Sequence, residues 1–129
     1  MIVDSSAMVS VIKRETDWVE FARAMHSAKN LSMSAASYLE TSIVLDGLRS
    51  AAQSARLDEL IEELGMVIEP VTAEQAKIAR QAYRDYGRGS GHPANLNFGD
   101  CFSYALAHDK REPILYKGDD FVHTDLRSA

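Results

Sequence analysis

Short apolar runs alternate along the chain with longer amphipathic stretches. Ile2-Val3, Leu31-Ser32-Met33, Met66-Val67-Ile68 and Ile114-Leu115-Tyr116 are each brief enough to be buried strands. Between them the spacing predicts helices around Ser6–Ile12, Asp17–Ala28, Ala35–Arg49, Ala51–Leu64, Thr72–Tyr86 and Phe98–His108. Several of these carry their own start or stop signals. Ser34 precedes Ala35, and Thr72 with Gln75 fits a capping box, in which each end satisfies a free backbone N–H of the other. Asn97 suits the N-cap of the helix whose first turn holds Asp100, and Gly65 is placed to end the helix before it. Strands that are continuously apolar imply a parallel sheet covered on both faces. The fold class is therefore α/β, a short central parallel sheet flanked by helices; the order of the strands is not readable from these patterns.

Composition narrows the picture. A length of 129 residues suits a single domain spanning 1–129, with no repeat or linker dividing it. The run Gly87-Arg88-Gly89-Ser90-Gly91-His92-Pro93 reads as a surface loop. Apolar residues at 46% and charged residues at 26% are the balance of a globular protein. No apolar run approaches the roughly 20 residues needed to cross a bilayer, so no membrane partner is expected. The opening MIVDSSAMVS has an early acid and no basic leader, unlike a secretion signal. A single cysteine, Cys101, excludes an internal disulfide framework and fits a reducing cytoplasm. The net charge of −5 argues against holding nucleic acid by a general basic surface. That objection weakens if several acids converge on a metal, because a bound cation reverses the local field.

Ligands of open parallel sheets bind beyond the carboxyl ends of the strands, so polar residues just after the apolar runs carry the information. Asp4 follows the first run directly, and Asp119 and Asp120 follow the last after Lys117-Gly118. Asp4 alone is equally an N-cap or turn residue, and Asp119-Asp120 alone reads more readily as a solvated turn; their arrival at one sheet edge raises the functional reading. Glu40 lies among Tyr38, Leu39, Ile43 and Val44, where an acid either faces solvent or must be paired, protonated or metal-bound. Asp100 interrupts an apolar block, and an acid in a first helical turn also complements the helix dipole. Together the positions resemble a carboxylate cluster, whose oxygen ligands suit Mg²⁺ or Mn²⁺ rather than zinc. His26, His92, His108 and His123 are scattered, with no zinc spacing. Cys101, among Phe98, Phe102 and Ala105, reads as a small buried hydrophobe rather than a nucleophile.

Four blocks then carry a resemblance. The opening Ile2-Val3-Asp4-Ser5-Ser6-Ala7, the Ser34–Glu40 segment, the block Leu96-Asn97-Phe98-Gly99-Asp100-Cys101 running on to Ala107, and the ending Ile114–Asp125 resemble the VapC toxins, in order and over nearly the whole chain. The resemblance implies a PIN-like domain and a metal-dependent endoribonuclease, the toxin of a type II toxin–antitoxin pair. It implies catalytic acids at Asp4, Glu40 and Asp100, with a fourth at Asp119 or Asp120, and a supporting hydroxyl at Ser6. Asp4 and Asp100 are expected as direct Mg²⁺ ligands (Mn²⁺ being an alternative), Glu40 as a ligand of a second ion or the residue that orients water. The Arg84, Arg88 and His92 region is either an RNA contact or a solvated loop. Expected partners are a VapB-type antitoxin, an RNA substrate (tRNA or ribosomal RNA) and a second copy of the chain in a homodimer. Apolar residues of the second helix, such as Val19, Phe21 and Met25, and the stretch Ile43–Leu48 are candidate association surfaces.

Two rivals share part of the pattern. A haloacid dehalogenase-like phosphatase also places an Asp after its first strand but needs a second Asp two residues later, where Ser6 stands. A phosphoacceptor receiver domain could use Lys117 but needs an acid paired with Asp4 and a phosphoacceptor Asp after a middle strand, and neither is present.

Overall fold

Four strands of only two or three residues make up the sheet: β1 (Ile2–Val3), β2 (Ser32–Ser34), β3 (Val67–Glu69) and β4 (Ile114–Leu115). The structure, a computed structural model, describes residues 1–129. All neighbouring strands are parallel, in the order β3-β2-β1-β4, with Ile2 opposite Ser32 on one side and Ile114 on the other. Six helices connect and cover them: α1 (Ser5–Lys13), α2 (Trp18–Ser27), α3 (Ala35–Gly47), α4 (Ala51–Leu64), α5 (Ala73–Tyr86) and α6 (Phe98–Lys110).

Successive side chains of a strand point to opposite faces. Ile2 and Ile114 therefore enter one core with Leu96, Leu106 and Phe121 beneath α5 and α6. Val3 and Leu115 enter the other, with Met8, Met25, Met33 and Leu45 beneath α1 to α4. Burial on both faces is why β1 and β4 each read as an unbroken apolar pair.

Side-chain caps set the helix starts. Asp4, Ser34, Ser50, Thr72 and Asn97 each accept a backbone N–H from the first turn that follows. Gly65 ends α4 in the left-handed region at φ 60°, as its position suggested. The capping box expected at Thr72 is only half made: Thr72 Oγ1 accepts from Gln75 N–H, but the Gln75 side chain donates to Asp109 on α6. The complete box lies at Asn97 and Asp100, each accepting the other's backbone N–H at 2.9 Å. Strand β2 sits one residue later than the apolar run indicated, because Ser34 is still paired opposite Glu69 when it begins to cap α3.

From β1 the chain moves outward to β2 and β3, then crosses to β4 on the far side of β1. The order reverses beside β1. That switch point is where an open α/β sheet leaves a crevice at its carboxyl edge.

Candidate active site

Asp4 is the first residue beyond β1 and is buried at 3% exposure. Burial of a carboxylate demands partners, and three are present. Ser6 donates to Oδ2 from its backbone N–H at 3.0 Å and from its hydroxyl at 2.6 Å, while Ser103 of α6 donates to Oδ1 at 2.5 Å. Asp4 is thus both the N-cap of α1 and a candidate site residue, so the two readings left open by the sequence are compatible. The Lys117 backbone N–H donates to Ser6 Oγ at 2.9 Å and ties the segment after β4 to the same point.

Asp100 stands in the first turn of α6. Its carboxyl is pushed up to about 7, first by desolvation and then by the nearby charges of Asp4 and Asp120, against the lowering effect of the Asn97 N–H. Asp120 is close enough to act on Asp100 by hydrogen bonding as well as by charge, and it is half-buried, whereas Asp119 is exposed. Gly118, just before the pair, takes a left-handed backbone at φ +97°. Glu40 projects from α3, where Ser5 donates to its Oε1 at 2.5 Å. Its carboxylate lies against Gly99, where an added Cβ would collide with it.

Asp4, Asp100 and Asp120 are therefore electrostatic neighbours. Glu40 is held beside Ser5 and Gly99, each adjacent in sequence to one of those acids. No three His, Cys, Asp or Glu side chains close into a metal cage. An open set still suits Mg²⁺, which keeps several waters and takes one or two carboxylates together with substrate phosphate oxygens. Desolvation, and after it the charges of Asp4 and Asp120, raise the Asp100 carboxyl above the usual carboxylate range, and a cation would offset both. The donor set fits a hard divalent ion.

Other residues have quieter places. Burial raises the Cys101 thiol to about 11, which leaves it a packing residue. His92 anchors its loop: its Nδ1 accepts the Ala94 N–H at 3.1 Å and its ring meets Tyr86 edge-on at 4.9 Å. The Lys117 ammonium is engaged by Asp17 at 3.0 Å and Glu15 at 3.5 Å. Sequence reading missed Ser5, Ser37 and Ser103. Two of them had a usable signal: Ser37 precedes Glu40 by three and Ser103 follows Asp100 by three, the spacing that shares a helix face.

A small parallel α/β domain with acids delivered to its switch point is the architecture of PIN domains, and the PIN domain family matches residues 1–126. Ribonuclease VapC28 of Mycobacterium tuberculosis is 57% identical over 129 residues, covering 100% of this chain and 97% of that protein. The solved structure of Mycobacterium tuberculosis VapC20, described as a sarcin–ricin loop cleaving toxin, superposes with a TM-score of 0.77 at 18% identity, over 99% of this chain and 97% of that one. A toxin–antitoxin complex from Klebsiella pneumoniae gives 0.73 at 13%, over 96% of this chain and 92% of that one. The chain belongs to the PIN-domain family and, within it, to the VapC ribonucleases.

Proposed function

We propose that the protein is a metal-dependent endoribonuclease, the toxin of a VapBC-type pair, which cuts structured RNA such as tRNA or ribosomal RNA. The observation that carries this reading is the meeting of Asp4, Asp100 and Asp120 at the switch point, with Glu40 held beside them by Ser5. Full-length similarity to a protein named as a ribonuclease supports it. Asp4 and Asp100 would hold Mg²⁺ or Mn²⁺. When bound, the ion activates water and offsets the charge that builds on the phosphate. Three of the roughly four lone-pair sites of the Asp4 carboxylate are already filled by serine donors, so it offers one. Glu40 orients the attacking water, and Ser5 and Gly99 fix where its carboxylate lies. Asp120, rather than Asp119, supplies the fourth acid.

The phosphatase alternative has no general acid: Ser6 donates its only hydroxyl proton to Asp4. In the receiver alternative, Lys117 would have to face the acids, but Asp17 and Glu15 engage it. Incubating purified chain with RNA in Mg²⁺ and in EDTA tests the reading. Cleavage that persists in EDTA, or that survives Asp4→Asn, would overturn it. Mapping the cut ends on cellular RNA after brief expression identifies the substrate.

The partner reading has two parts. An antitoxin binds this toxin and places a cationic side chain among the acids, as their unrelieved repulsion favours. A second copy covers the outer face of α3. That helix turns Ser37, Thr41 and Leu45 inward and leaves Leu39 59%, Ile43 63% and Val44 43% exposed, beside Phe98 at 77%. Together these leave an apolar patch of roughly a few hundred Å², the size at which an exposed patch marks an association surface. With Ala36, Glu40, Gly99 and Phe102 they line a groove of about 420 Å³. The α2 surface expected from the sequence is mostly used internally: Met25 is buried, and Phe21 and Ala24 pack on the core. No helix is long and apolar enough to cross a membrane.

A further inference from the structure

Ser37 on α3 and Ser103 on α6 are buried at 1% and 0% exposure. Hydroxyls in such a place are costly unless bonded. Their oxygens lie 3.0 Å apart, and Ser103 also donates to Asp4 Oδ1 at 2.5 Å. A serine has one proton to give and a carboxylate has none. The direction is therefore fixed: Ser37 donates to Ser103, and Ser103 donates to Asp4. A matching pair reaches the other oxygen, from the Lys117 N–H to Ser6 Oγ and from Ser6 to Asp4 Oδ2.

Hydrogen bonds in series polarise one another, and more so where water is excluded. The two series hold Asp4 from opposite sides, one rooted in α3 and one in the segment after β4. Ser37 lies one turn before Glu40 on α3, and Ser103 one turn after Asp100 on α6. The helices that carry two of the acids thus also control the orientation of a third.

We propose that Ser37 and Ser103 are positioning residues, a buried two-hydroxyl relay that sets the Asp4 carboxylate for ion binding and turnover. This rests on the ribonuclease reading but is testable apart from it. Hydrogen-bond partners of metal-binding carboxylates typically contribute about 10–100-fold to metal affinity or activity. Ser37→Ala leaves every atom touching Asp4 in place, and Ser103→Ala removes the direct bond.

The test measures Mn²⁺ affinity by calorimetry, kcat and KM for RNA cleavage, and thermal stability, for both variants and the double variant. Ser103→Ala should weaken Mn²⁺ binding and lower kcat by about 10-fold or more, with KM nearly unchanged. Ser37→Ala should give a smaller loss of the same kind. In the double variant Ser37→Ala should add nothing, since a series broken at its last link has no earlier links to lose. Plain packing predicts the reverse: additive losses of stability with Mn²⁺ affinity and kcat intact, and that result overturns the proposal. Should Ser103→Ala not fold, Ser37→Ala decides by the same readouts. Wild-type protein that cuts no RNA would sink the ribonuclease reading alone, while the Mn²⁺ affinities would still support or overturn the relay.

Discussion

Removing one charge from the acid cluster should stabilise the metal-free protein, and only at neutral pH. The Asp100 carboxyl, ordinarily near 3.8, is pushed up to about 7 in the fold by desolvation and by Asp4 and Asp120. The folded state therefore binds this proton more tightly than the unfolded chain does. Below pH 3.8 both states are protonated and Asp100 costs nothing; from there to about 7 stability falls as pH rises, and above 7 the loss is complete. The interval corresponds to no more than about 4 kcal/mol, and solvent screening at a partly exposed carboxyl reduces it to roughly 1–2 kcal/mol. Asn at position 100 removes the charge and can still accept the Asn97 N–H, at a cost of about 0.5 kcal/mol for a neutral bond in place of a charged one. The net expectation is Asp100→Asn more stable by about 1 kcal/mol at pH 7.5 in EDTA, a rise of about 3–5 °C in Tm. At pH 4 the gain should vanish. Urea unfolding of both proteins at the two pH values measures it. An Asn variant that is no more stable at pH 7.5, or equally favoured at pH 4, would refute the claim that unrelieved repulsion and desolvation dominate this site.

Asp4→Asn should abolish RNA cleavage, a loss of at least about 100-fold, with circular dichroism unchanged because Asn retains the cap of α1. Asp120→Asn should cost cleavage at least about 10-fold, whereas Asp119→Asn, altering an exposed residue, should leave it near normal; equal effects would place the fourth acid elsewhere. Gly99→Ala should leave stability within about 0.5 kcal/mol, since only a flexible side chain must move, yet reduce kcat by displacing Glu40. Ile43→Glu should convert a dimer to a monomer in light-scattering chromatography at tens of micromolar, and a wild-type chain already monomeric there would remove the basis for that face.

Much of the architecture was legible because its determinants are local. Buried apolar pairs such as Ile2-Val3 and capping residues such as Ser34 and Asn97 announce strands and helix starts within a few residues. The acids at strand ends could be located by the same logic, since the sheet edge follows from where the runs stop. What escaped depends on contacts distant along the chain. Asp119 and Asp120 are indistinguishable in sequence; only the folded chain shows that Asp120 is the one near Asp100. The apolar residues of α2 read as surplus surface because nothing local reveals that Met25 meets Met33 and Leu45 in one core. Ser37 and Ser103 share helix faces with Glu40 and Asp100, but they are 66 positions apart and nothing local shows that the fold brings them together.

The sheet order has a consequence for the protein's birth. Strand β1, first in the chain, is flanked by β2 and by β4, the last strand to be made. The Asp4 N–H can donate to Leu115 O, and Ser6 Oγ can accept from the Lys117 N–H, only when residues beyond 110 have appeared. A nascent chain carries Asp4 and Glu40 early but has no partner for the open edge of β1 and no Asp120. The complete acid set therefore comes together only after β4 and the segment that follows it have been made.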